Sequence, residues 1–119
     1  VLEANRQRAT HTTGLDLEAI QGIMQDRIHG SLELEELAAV AHLSKYHFAS
    51  RYKALTGYSP IKHFLHMKIE YACQLLDSSD LSVKAIAAAV GYGDALYFSR
   101  LFRQTVGLSP RAYRSSVRK

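Results

Sequence analysis

"FASRYKALTGYSP" at residues 48–60 and "FSRLFRQTVGLSP" at residues 98–110 repeat one pattern fifty positions apart. Both open on Phe and close on Gly, one residue, Ser, Pro. Both place an aromatic and then a cation at the fifth and sixth places, Tyr52 and Lys53 in one, Phe102 and Arg103 in the other. Upstream of each lies a short apolar run, Leu37-Ala38-Ala39-Val40-Ala41 and Ile86-Ala87-Ala88-Ala89-Val90. The upstream runs align at an offset of 49 and the downstream parts at 50, so the second copy carries one more residue in its turn, within "GYGD".

A short apolar helix, a tight turn and a second helix with cations on its outer face make the helix-turn-helix layout. Ala38 and Ala87 are small enough for the following helix to cross closely. The turn needs a residue that bends the chain sharply. Gly91 suits that need, and His42 fills the matching slot less comfortably. Phe48 and Tyr52, like Phe98 and Phe102, are four apart on one helical face and read as core rather than as base-stacking residues.

Around this repeat the whole chain reads as helical. Leu17, Ile20, Ile23, Met24 and Ile28 share a face, with Asp16 as N-cap and Gly30 as the stop. Leu34, Leu37, Ala38 and Ala41 make the next stripe. Ser44 caps a helix over Lys45–Leu55 that Gly57 ends. Ser59-Pro60 opens a long helix to about Leu76, with Pro at the first helical position. Ser82 caps a short helix to Ala89, Asp94 caps one over Ala95–Val106 that Gly107 ends, and Ser109-Pro110 opens the last. The expectation is seven helices and no sheet, an all-α fold of two small homeodomain-like lobes joined by the long helix. Residues 1–14 are expected to be a linker or tail, 15–76 the first lobe with the linker helix, and 77–119 the second lobe.

The bulk properties fit. The chain has 119 residues, 47% of them hydrophobic, and one cysteine, which excludes an internal disulfide and a cysteine-based zinc finger. Cys73 reads as a structural thiol on a helix. No apolar run approaches the roughly 20 residues of a membrane span. Net charge is +4, unevenly spread. Residues 1–40 carry three cations against seven carboxylates, and residues 41–119 carry twelve against four. A basic region after an acidic start points to an anionic partner. A linker helix of roughly 17 residues would span about 25 Å, while successive major-groove segments on one DNA face lie about 34 Å apart. Two reading helices so joined would let one monomer read two half-sites.

The stretches "LAAVAHLSKYHFASRYKALTGYSP" and "IAAAVGYGDALYFSRLFRQTVGLSPRAYR" closely resemble the DNA-binding domain of AraC/XylS-type transcription regulators, over about residues 16–117. The resemblance implies a bacterial, cytoplasmic, nucleoid-associated regulator that binds double-stranded DNA through two helix-turn-helix motifs. It implies no enzyme activity, cofactor, metal or membrane. It further implies contact with RNA polymerase beside the bound site, and a small-molecule effector sensed by an N-terminal domain outside this chain. The tail "VLEANRQRATHTTG" is expected to be the linker to it.

By position, the resemblance makes Tyr46, Ala49 and Ser50 in the first reading helix and Ala95, Leu96, Ser99 and Arg100 in the second the expected base readers. Arg100 is the foremost, because a guanidinium can bond guanine O6 and N7 together. Lys45, Arg51, Lys53, Lys62, Arg103, Arg111 and Arg114 are the expected phosphate contacts, with the helix starts at Pro60 and Pro110 beside them. The chain departs from the family where Ala49, Ala95 and Leu96 stand in place of polar readers. Such residues either read thymine methyl groups or, for Leu96, pack beneath the helix.

Two other readings compete. His63, His66 and Glu70 fall at i, i+3 and i+7 of the long helix and could present metal ligands, or a solvated or DNA-facing surface. Glu33, Glu35 and Glu36 could meet a protein partner, or favour a helix N-terminus through its dipole.

Overall fold

The computed structural model describes residues 15–118, so the expected linker at 1–14 lies outside the described residues. Within them the chain forms seven helices and no strand: α1 (Leu17–Asp26), α2 (Leu34–Val40), α3 (Lys45–Thr56), α4 (Pro60–Ser78), α5 (Val83–Ala89), α6 (Ala95–Val106) and α7 (Pro110–Val117). Packing divides the described residues into two units. The first holds 15–27 and Leu32–Phe64, and the second holds Ile28–Ser31 and 65–118.

The start signals act through side-chain oxygens that accept from the first-turn amides. Asp16 accepts from Ala19, Ser44 from His47, Ser82 from Ala85, and Ser109 from Ala112. Asp94 accepts from both Leu96 and Tyr97, at 2.9 and 3.2 Å. Gly57 and Gly107 end α3 and α6 in the left-handed conformation. In the first unit Ile20, Met24, Leu37, Phe48 and Tyr52 are buried together with Leu15. In the second Ile69, Ala72, Leu76, Ile86, Val90, Phe98 and Phe102 form the core, with the half-buried Cys73 packed against it. Burial pushes the Cys73 thiol up, which leaves it a poor nucleophile.

The two cores are not chemically alike. Tyr52 is fully buried, so its hydroxyl needs partners. It finds His63 Nδ1 at 2.6 Å and the Gln21 amide at 3.4 Å. His63 also stacks on Tyr58, with ring centroids 5.5 Å apart. The second unit has Phe102 at the matching place, edge-on to Tyr113 at 5.7 Å. His63 is therefore a core partner of Tyr52, and among the described residues no three His, Cys, Asp or Glu side chains gather as metal ligands.

One boundary differs from expectation. The first helix stops at Asp26, with Arg27 as C-cap, rather than running on to Gly30. The carbonyls of Ile28 and Gly30, beyond the helix end, accept from the ammonium of Lys68 within the second unit. The acidic group near α2 is spent locally. Glu36 accepts from the Glu33 amide and pairs with Arg27 at 2.5 Å, and the Arg27 guanidinium beside Glu36 holds its carboxyl below the usual range. Glu35 pairs with Lys45 at 3.3 Å.

The turns confirm the asymmetry expected of them. His42 has φ +58 and Gly91 φ +89. At Gly91 space is the second constraint, since a Cβ there would lie 2.9 Å from Lys68 Nζ and 3.1 Å from Gly30 Cα and O. Gly107, at φ +94, has open space around it. Gly107→Ala should cost about 1–2 kcal/mol from the left-handed backbone alone, and Gly91→Ala clearly more. Urea midpoints of the two variants measure the difference, and equal losses would show that close approach costs nothing.

Candidate nucleic-acid interface

Position by position, residues 45–60 and 95–110 have the same exposure. Every buried, half-buried and exposed place in one copy recurs in the other. Phe48 and Tyr52 turn inward in α3, and Phe98 and Phe102 do so in α6. With 3.6 residues per turn, the outward face lies half a turn from these pairs. It comprises Tyr46, His47, Ser50, Lys53 and Ala54 in α3, and Leu96, Tyr97, Arg100, Arg103 and Gln104 in α6, all exposed.

The expected readers divide on this face. Tyr46 and Leu96 stand out among the large apolar and aromatic side chains, 78% and 73% exposed. Leu96 therefore does not pack beneath its helix. Ser50 and Arg100 are exposed beside them, while Ala49, Ala95 and Ser99 are half-buried on the flank. His47, Tyr97 and Gln104 lie on this face in addition to the expected readers. They were recoverable, because the inward pairs already set the outward direction.

The expected phosphate contacts also divide. Lys53, Lys62, Arg103 and Arg111 are exposed, whereas Lys45 and Arg51 are half-buried. Lys45 is shared between Glu35 and the Tyr46 ring, 5.4 Å to the centroid. Arg114 is committed to the fold. Its Nε donates to the Leu76 carbonyl at 3.0 Å and its Nη2 to the Ser79 carbonyl at 3.1 Å, closing the C-terminal end of α4. Ser59 and Ser109 take one first-turn amide each at the starts of α4 and α7.

Two matched helix-turn-helix units of this kind have known relatives. The family model described as "Helix-turn-helix domain" matches residues 37–116. The MmsAB operon regulatory protein of Pseudomonas aeruginosa is 62% identical over 105 residues, which is 88% of this chain and 34% of that protein. The crystal structure of the DNA-binding domain of AdpA in complex with a target DNA is 31% identical, with a TM-score of 0.79, covering 86% of this chain and 92% of that one. The C-terminal domain of AraT, a response regulator from Geobacillus stearothermophilus, is 30% identical with a TM-score of 0.77, covering 83% of each chain.

The chain belongs to the AraC/XylS family. That family is one of DNA-binding transcription regulators, not enzymes, and the AraC/XylS fold accounts for the repeat with which the sequence was read. The chain spans about a third of the length of the curated relatives it matches. No helix among the described residues is long and apolar enough to cross a membrane.

Proposed function

We propose that this AraC/XylS domain reads two separate major-groove segments of duplex DNA, one with the outward face of α3 and one with that of α6. The observation that carries this is the matched exposure of residues 45–60 and 95–110, which presents the same face twice with different side chains on it. Tyr46, Ala49 and Ser50 read bases in one segment, and Ala95, Leu96, Ser99 and Arg100 in the other. Lys45, Arg51, Lys53, Lys62, Arg103 and Arg111 hold phosphates, while Arg114 supports α7. The domain acts on chromosomal DNA in the bacterial cytoplasm. Contact with RNA polymerase beside the site, and an effector sensed by a part of the regulator outside these residues, belong to the same proposal.

Selection from random duplexes of about 25 base pairs should enrich two short blocks roughly one helical turn apart. No enrichment at low salt would end the reading. Identity of 62% to the MmsAB operon regulatory protein supports a shared binding sequence. A fragment bound by that protein should be shifted by this chain in a gel, and should compete better than random DNA of equal length.

The exposed Leu96 makes the second block specific in a particular way. A leucine cannot donate a hydrogen bond, but it can contact the thymine C5-methyl group. Leu96→Gln should abolish a thymine preference at one position of the block and leave the other block unchanged. A selected motif with no thymine preference lost in this variant removes Leu96 from the readers.

A further inference from the structure

Lys68 is buried to 4% exposure, the one charged side chain so placed among the described residues. It lies on α4. Its ammonium has three donors and spends them on backbone: Ile28 O at 3.1 Å, Gly30 O, and Val90 O at 2.5 Å. Val90 is the C-cap of α5, where a cation complements the helix dipole. The ammonium also sits over the Tyr92 ring, 5.3 Å from its centroid. Burial pulls the lysine below its ordinary pKa, while the carbonyl dipoles favour the charged form.

The Val90 and Tyr92 contacts lie in the turn that leads into α6, and the Ile28 and Gly30 contacts tie the 28–31 segment to the same ammonium. Val90, Gly91 and Tyr92 form that turn, closed by the Tyr92 amide on the Ala87 carbonyl at 2.8 Å. Tyr92 then packs on Tyr97 and Phe98 in the first turn of α6, at 5.9 and 6.0 Å. Gly91 leaves the ammonium room, since any Cβ would meet Nζ. A contiguous path therefore runs from Lys68 through the turn to the first turn of α6, which carries Leu96 and leads into Arg100.

We propose that Lys68 is a positioning residue for sequence reading by the second helix-turn-helix alone: it fixes the α5–α6 turn and touches no DNA. In a basic DNA-binding domain a lysine is ordinarily a phosphate ligand, and the two roles separate experimentally. A phosphate ligand contributes about 0.9 to the slope of log K against log salt and weakens all sequences alike. A buried positioning residue leaves that slope unchanged and lowers affinity for the selected site more than for random duplex.

The inference rests on the two-block reading, so the test carries a control for it. Random-duplex selection is run with the full 119-residue chain, Lys68→Met, Lys68→Arg and Arg100→Ala. Lys68→Met should degrade the block that Arg100→Ala degrades and retain the other block. It should bind the selected site about ten-fold more weakly with an unchanged salt slope on random DNA. Lys68→Arg, which keeps the cation and its donors, should restore the block. The retained block serves as the measure of a folded first unit. If Arg100→Ala degrades no block, the underlying reading fails. If Arg100→Ala degrades a block that Lys68→Met leaves intact, the positioning role fails. Loss of both blocks, or a shallower salt slope, would equally overturn it.

Discussion

Phe98→Ala should unfold the second unit while the first keeps its helical structure. Phe98 is fully buried, in ring contact with Tyr92 and Phe102, at 6.0 and 5.9 Å between centroids. Truncating a buried Phe costs about 3–5 kcal/mol through lost transfer energy and the cavity left behind. A unit of this size buries too little to tolerate that loss, because the fraction of surface removed from water falls as domains shrink. Phe48→Ala should do the same to the first unit. Tyr52→Phe should cost less, about 1–2 kcal/mol, because the ring stays and only the hydroxyl bonded to His63 and Gln21 is removed. Urea unfolding followed by circular dichroism, with amide exchange to assign each unit, measures all three. A Phe98→Ala protein that retains slow exchange in α5 and α6 would show that the core does not depend on this ring.

Most of the element boundaries were legible because their causes are local. Ser44, Asp94, Ser109 and Pro110 lie within three residues of the groups they serve, and Gly57 and Gly107 act on their own backbone. The end of α1 was not legible. The segment that follows it, Ile28–Ser31, is held by Lys68, 40 positions downstream of Ile28, and the same ammonium bonds Val90, 22 positions further on. Nothing in the spacing around Gly30 signals such a partner. The commitment of Arg114 to carbonyls at and just beyond the end of α4 was hidden for the same reason, its two acceptors lying 38 and 35 positions away. The outward face is an intermediate case. Phe48 and Tyr52 read as core, so their opposite side is fixed by the sequence, yet the resemblance points to Ala49, which lies on the flank rather than on the outward face. Leu96 shows what only the structure could decide: an apolar residue on a helix start is ambiguous in sequence, and its exposure settles that it does not pack inward.

Arg100→Ala should lose affinity for the selected site by about 1–3 kcal/mol, roughly 5- to 150-fold, and relax the sequence preference of one block. The side chain is exposed in the middle of α6, on the same face as Leu96 and one turn from Arg103. A guanidinium there can bond guanine O6 and N7 together through its rigid fork of donors. Arg103 and Lys53, a turn further along their helices, occupy equivalent places in the two copies. On the proposed reading, a cation at the same place on two faces that otherwise differ serves what both segments share, the phosphate backbone. Lys53→Ala should accordingly weaken selected and random duplexes alike, and lower the salt slope by about 0.9. Arg100 differs in kind because its counterpart is Ser50 rather than another cation. Measured over a salt series on both duplexes, Arg100→Ala should separate the two from each other, whereas Lys53→Ala should move them in parallel. Parallel losses for both variants would assign Arg100 to phosphate, leaving the reading of the second block to Leu96 and its neighbours.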